Sequence, residues 1–485
     1  MEWHVKLGEW WQFVAAGLSL LMALLAVGHV LINKRDSRAA AGWVGFIWFV
    51  PLVGPLVYGI FGVNRIRRRA LSLRTQREHY RAQLAHVARE PEPEGITMPS
   101  EVGEFAAIAG VINQTQSRNL TKGNRVQPLL DGDEAYPAML EAIGRAQRSI
   151  ALSTYIFDRD EAGELFVNAL AAAVRRGVQV RVLIDATGTR YSWPSVLGLL
   201  KEAGIPYARF LPAFPLWRLF SINLRNHRKL LIIDGEVGFT GGINIRAGHL
   251  VARQPSHPVK DLHFRVEGPV VGHLQEVFAE DWHFTTRELL ASETWFPPLS
   301  GEGSVVARGI ADGPDEEIDP LRWAILAALS TARNSVCIAT PYFLPDAPII
   351  SALNLAAMRG VVIDIVLPER SNLPFVHWAS RALWWQVLER GCRIWLTPGV
   401  FDHSKIMIVD GRWTLLGSAN WDPRSLRLNF EFNVECYDRN LAEQLERWFR
   451  SKRDRSRRVT LEEVDSRSIP AKLRDGAARL FSPYL

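Results

Sequence analysis

At 485 residues the chain has room for two or three domains and a sizeable core. Its 57 Lys and Arg against 51 Asp and Glu leave a formal net charge of +6, which favours anionic partners such as lipid or nucleic acid over cationic ones. Three cysteines, Cys337, Cys392 and Cys436, lie far apart without metal-ligand spacing, and no His-Glu-x-x-His or acidic calcium-loop pattern occurs; buried thiols in a reducing compartment, no metal and no cofactor are expected.

Phe13 to Ile32 is an apolar run without a formal charge, and Trp43 to Val63 is another. Each is long enough to cross a hydrocarbon core of about 30 Å. Pro51, Gly54 and Pro55 predict that the second is kinked or re-entrant, and Trp10, Trp11, Trp43 and Trp48 suit interfacial anchoring. After the second run come Arg65, Arg67, Arg68, Arg69, Arg74, Arg77 and Arg81, a cluster that places this side of the membrane in the cytoplasm. Residues 1–64 are therefore expected to form a membrane anchor with two hydrophobic spans. Residues 65–125, with Glu90-Pro91-Glu92-Pro93-Glu94-Gly95, are expected to form a basic, Pro- and Glu-rich linker.

Beyond it the sequence repeats. Ala142–Phe157 has a later counterpart in Ala328–Phe343, and Arg176-Gly177-Val178 is matched by Arg359-Gly360-Val361. Hydrophobic strands alternating with helices predict two homologous α/β lobes, 126–300 and 301–485, built on parallel sheets covered on both faces. The stretch Phe210–Phe220, ahead of the first motif, reads either as an apolar lip or as a Pro-broken packing segment.

Each lobe carries one copy of a motif. His227 and Lys229 are two apart, Asp234 follows five beyond the Lys, then Gly241 and Asn244; His403, Lys405, Asp410, Gly417 and Asn420 repeat the spacing. In an extended chain residues two apart share a face, so each strand start presents an imidazole and an ammonium together. Two facing copies supply one His for attack, one for proton transfer, and two Lys to hold an anion, which suits phosphoryl transfer. Asn244, Asn420 and the hydroxyl of Ser418 are candidate phosphate donors, with Gly242 at the position matching Ser418. Asp234 and Asp410, at the far end of strand and turn, are placed to brace the motif.

These residues resemble the paired catalytic motifs of the phospholipase D superfamily, and Thr340–Pro345, Asn420–Ser425 and Ala478–Leu485 resemble its bacterial cardiolipin synthases. The resemblance implies two phospholipase D-like lobes behind an N-terminal transmembrane helical hairpin in the inner membrane. It implies a catalytic set of His227, Lys229, Asp234, His403, Lys405 and Asp410. It also points to an acid downstream of each motif that orients a histidine: Asp261 beyond His227 in the first lobe, and Glu431 beyond His403 as the partner of His403. The activity it implies joins two phosphatidylglycerols into cardiolipin and glycerol through a phosphohistidine, with His227 as nucleophile. A membrane phospholipase D that uses water, and less so a membrane-tethered nuclease, are the alternatives; no nucleic-acid module is recognisable, and the oligomeric state is open.

Overall fold

The computed structural model of the chain describes residues 2–34, 36–62, 100–211, 224–314 and 319–482. The Arg65–Arg81 cluster, the Glu90–Gly95 segment and nearly all of the apolar stretch up to Phe220 fall outside these residues. The chain divides into two compact units, Met1–Arg69 and Ala70–Leu485.

In the first unit, Glu2–Asn33 is one continuous helix whose part Trp11–Asn33 has a mean hydropathy of 2.2, long and apolar enough to cross a membrane. Asp36 caps the next helix, Ser37–Phe49, accepting from the Ala39 amide at 2.7 Å. That helix stops at Val50, ahead of Pro51, and helical turns resume only at Gly54. Thirteen residues reach about 20 Å, short of a bilayer core. The second apolar run is thus interrupted where Pro51, Gly54 and Pro55 predict, and it follows one unbroken helix. The two fold against each other as a hairpin through Ala23, Val30, Ile47 and Tyr58, with His29 Nδ1 2.8 Å from the Tyr58 hydroxyl.

In the second unit two sheets repeat one strand order. The first lobe runs Arg125–Leu130, Leu262–Glu267, Val237–Gly241, Leu230–Ile233, Ser149–Thr154, Gln179–Asp185, Tyr207–Phe210. The second runs Gly303–Asp312, Glu431–Tyr437, Trp413–Gly417, Ile406–Val409, Ser335–Ala339, Val362–Pro368, Arg393–Thr397, with Thr121–Gly123 and Arg457–Val459 added at its edges. The sheets are mixed, not parallel as expected. Only the three strands joined by helical crossovers run parallel, whereas the motif strand returns through a tight Asp-Gly turn and so pairs antiparallel with the strand after it.

One face of each sheet carries an apolar layer that includes Leu231, Ile233 and Phe239 in the first lobe and Met407, Val409 and Trp413 in the second. On the other face lie helices Val271–Thr286 and Arg439–Arg453, each also touching a strand of the opposite lobe. Cys392 and Cys436 are buried and Cys337 half-buried, all free.

Residues 100–125 are not linker. Helix Ala106–Asn113 buries Ile108, Ala109 and Ile112 in the core of the second lobe, and Thr121–Gly123 pairs with Gly303–Asp312. In the sequence their apolar period is overshadowed by the polar composition upstream.

Candidate active site

The motif strands are buried on both faces, and the His and Lys stand just before each begins, where the sheets leave room. Backbone pairing between lobes fixes both histidines. The His227 amide donates to the Phe430 carbonyl at 2.9 Å, and the His403 amide to the Lys260 carbonyl at 2.7 Å. Each carbonyl belongs to the residue just before an acid, so each acid is delivered to the histidine of the opposite lobe. His227 Nδ1 lies 3.0 Å from both Glu431 carboxylate oxygens, and His403 Nδ1 lies 2.8 Å from Asp261 Oδ2. The expectation that each acid serves its own lobe's histidine is therefore reversed. An in-lobe acid sits on the strand beyond its own motif hairpin, while the parallel bridge between lobes carries it to the other histidine. The two imidazole rings stand 6.5 Å apart between centroids, nearly perpendicular.

Both histidines are pushed below their ordinary pKa. For His227 burial leads, opposed by Glu431 and helped by the Lys229 charge. For His403 burial, Lys405 and Lys229 act together, and it falls well below. Burial alone would raise Glu431, but His227, Lys229 and a hydrogen bond from Ser418 bring it below the usual range. Asp261 is raised by burial, with Lys405 opposing. Both sites thus rest as neutral imidazole whose Nδ1–H donates to a carboxylate, which leaves Nε2 as the reacting nitrogen.

Lys229 donates from Nζ to the His227 carbonyl at 2.6 Å, and Lys405 to the His403 carbonyl. Burial lowers them to about 7 and about 8. Asn244 Oδ1 accepts from the Ile156 amide at 3.1 Å, which turns its NH2 group the other way; Asn420 is equally buried. Ser418 is expected among the phosphate donors, but its fully buried hydroxyl donates to Glu431 Oε2 and accepts from the Phe432 amide. It supports the carboxylate behind His227. Asp234 accepts from the backbone amides of Gln147, Arg148 and Ser149, and Asp410 from those of Arg333, Asn334 and Ser335, all at 2.7–2.9 Å. Both have positive φ, 55° and 49°, and pin the hairpin turn to the loop before the neighbouring strand, remote from the histidines.

Other groups join the centre. Tyr155 and Tyr342 set their rings edge-on to His227 and His403 at 5.3 and 6.2 Å, and Lys229 Nζ lies 5.6 Å from the Tyr155 ring centre. Their equivalence is visible in the repeat, where each lobe has a Tyr shortly after the strand that pairs with its motif strand; what it faces is not. Asn429 donates to Glu431 at 3.1 Å. Arg228, between the His and Lys, is fully buried; it bonds Asp281 at 2.5 Å and the carbonyls of Glu431 and Asp312 at 3.0 and 2.9 Å, locking the two lobes at the site. No isolated Arg signals such a role. Among the described residues no three His, Cys, Asp or Glu side chains gather as a metal site.

Two imidazoles 6.5 Å apart, each tied through Nδ1 to a carboxylate so that Nε2 is free to react, with the buried lysines of both motifs nearby, suit displacement at a phosphodiester. The family described as "Cardiolipin synthase, PLD-like domain" matches residues 139–282 and 325–453, and "Phospholipase_D-nuclease N-terminal" matches 21–62. A cardiolipin synthase of Oceanobacillus iheyensis is 32% identical over 474 residues, covering 97% of this chain and 98% of that protein. The major cardiolipin synthase ClsA of Bacillus subtilis is 31% identical, covering 96% and 98%. The crystal structure of phosphatidylserine synthase from Haemophilus influenzae superposes with a TM-score of 0.62 over 79% of this chain and 100% of that one at 16% identity, a likeness of fold. With both lobes and the N-terminal hairpin matched along nearly its whole length, the chain belongs to the phospholipase D-like cardiolipin synthase family.

Proposed function

We propose that this protein is a cardiolipin synthase that transfers a phosphatidyl group from one phosphatidylglycerol to the hydroxyl of a second, releasing glycerol. The observation that carries the reading is the crossed pair of histidine–carboxylate dyads with two lysines between them. His403 takes up a solvent proton at Nε2 as the anionic donor binds; His227 Nε2 then attacks phosphorus, the P–N bond forms, and the P–O bond to glycerol breaks as His403 Nε2–H gives that proton to the departing oxygen. Neutral His403 then takes the proton from the acceptor's glycerol hydroxyl, whose oxygen attacks phosphorus while the P–N bond breaks. Lys229 and Lys405 hold the equatorial oxygens, and the phosphodiester charge keeps both protonated.

The assignment of attack to His227 is supported by its carboxylate. Glu431 is held anionic by His227, Lys229 and the Ser418 hydroxyl, accepts a further hydrogen bond from Asn429, and sustains the basicity of the ring. His403, whose pKa is depressed further, is a strong acid once protonated. We place the enzyme in the inner membrane, with the helix from Trp11 to Asn33 as one span, the broken helix returning the chain, and the arginine cluster holding the catalytic lobes on the cytoplasmic side. The test is lipid analysis after incubating purified protein with phosphatidylglycerol alone. Cardiolipin and glycerol in equal amounts are expected; phosphatidic acid instead would make the protein a hydrolase.

A further inference from the structure

The C-terminal helix Ile469–Arg479 packs on helix Pro374–Arg381, and together they bury little of their apolar side. Leu373, Phe375, Ile469, Leu473, Leu480 and Phe481 are 40–75% exposed, with the rings of Phe375 and Phe481 5.6 Å apart. Large apolar side chains left in water in such density cost stability unless something covers them. The charge around them is predominantly basic. Segments 370–385 and 467–481 contain Arg370, Arg381, Arg467, Lys472, Arg474 and Arg479 but a single acid, Asp475. That acid is fully buried and already bonds Arg467 and Arg474 at 2.6 and 2.7 Å.

Beneath this surface runs a continuous apolar layer of Leu344, Val376, Ala379, Ala478, Trp378 and Phe401. It ends on Tyr342 and Phe401, whose rings lie 6.2 and 6.0 Å from His403. The exposed face and the reacting histidine therefore belong to one apolar body.

We infer that this surface docks on an anionic phospholipid bilayer, with the leucines and phenylalanines among the acyl chains and the basic residues at headgroup phosphates, so that lipid enters the site from the His403 side. The inference rests on the lipid-transfer reading, since a lipid-using site needs a route from the bilayer that keeps acyl chains out of water. Basic residues near an anionic surface add attraction that salt weakens.

The full-length protein in phosphatidylglycerol-containing vesicles tests it. In a Cys337→Ser background, Leu473→Cys is labelled with an environment-sensitive fluorophore, and Gln444→Cys, on the exposed face of helix Arg439–Arg453, serves as control. The label at 473 is expected to blue-shift and to be quenched by spin-labelled acyl chains, and the label at 444 to remain in water. The double variant Leu473→Asp, Leu480→Asp should lower the ratio of the rate on bilayers to the rate on monomeric short-chain phosphatidylglycerol by about ten-fold or more. An unquenched label with an unchanged ratio overturns the inference. So does quenching replaced by self-association through this face, seen as cross-linking at 473 between copies. A parent protein that makes no cardiolipin from either substrate, yet shows a quenched label, refutes the transfer reading and leaves the docking standing.

Discussion

The two halves of the active centre share a backbone and differ in how each carboxylate is held. On the His227 side a glutamate is gripped by Ser418, Asn429 and the ring itself. On the His403 side the shorter aspartate sits over Gly242, where an added Cβ would collide with the Asp261 carboxylate. The side-chain volume that one lobe gives to Glu and Ser is filled in the other by Asp approaching a bare backbone. Glu431 is brought below its usual range by His227, Lys229 and the Ser418 hydroxyl, whereas burial raises Asp261, so the duplicated halves hold unequal carboxylates behind their histidines. A reaction that needs a nucleophile and an acid uses that inequality.

The comparison can be broken at its largest effect first. His227→Ala and His403→Ala should each abolish turnover, by about 10²–10⁴-fold or more, with unchanged circular dichroism and membrane association. Substantial activity in either would end the two-histidine mechanism. The crossing itself is read by Glu431→Gln and Asp261→Asn. Both should lose roughly 10²-fold or more on phosphatidylglycerol. With a donor whose leaving group needs no acid, Asp261→Asn should regain its first step and accumulate lipid on His227, whereas Glu431→Gln should not; acid-quenched mass spectrometry of the two peptides reads the adduct. The reverse pattern would return each acid to its own lobe.

A finer probe is the Ser–Gly difference. Ser418→Ala removes one hydrogen bond to a charged group, worth about 1.5–3 kcal/mol, and should slow transfer by about ten-fold or more. Gly242→Ala should do greater harm than its size suggests, because it forces Asp261 off His403; rate against pH in both variants separates loss of the dyad from loss of fold.

The smallest effect expected is in pH dependence. Lys229 and Lys405, held by burial at about 7 and about 8, are charged in the free enzyme below those values. As pH rises through 7 to 8 the free site loses positive charge, so kcat/KM for phosphatidylglycerol should fall, while kcat, measured with the anion bound, should hold to higher pH. A kcat/KM that stays flat to pH 9 would contradict these values.

Much of this was legible in the sequence because the lobes are repeats: the spacing of His, Lys, Asp, Gly and Asn recurs, and both copies take the same place in the same strand order. What escaped lay in contacts between the copies. Sequence distance puts Glu431 with His403 and Asp261 with His227, but the pairing is set by a short bridge between lobes that has no periodicity to read. Ser418 looks like a donor to substrate because a hydroxyl in a motif shows its chemistry and not its direction. Asp234 and Asp410 were legible as braces, since an Asp–Gly turn at positive φ needs a carboxylate to satisfy the amides around it.

The segment from Ala106 to Gly123 has a consequence for how the molecule is made. Its buried residues Ile108 and Ile112 pack with Leu321 and Ile325, and Thr121 pairs with Ala307, partners that leave the ribosome only after the whole first lobe. At about 5–20 residues per second, roughly 200 residues of intervening chain impose a wait of about 10–40 s. Throughout it an apolar helix stays unsheltered while the first lobe is synthesised and can fold ahead of it. Completion of the second lobe is the event that retires this surface, so a ribosome stalled between the lobes would leave a nascent chain bearing a formed first lobe and an uncovered sticky helix, a natural target for chaperones that guard unfinished proteins.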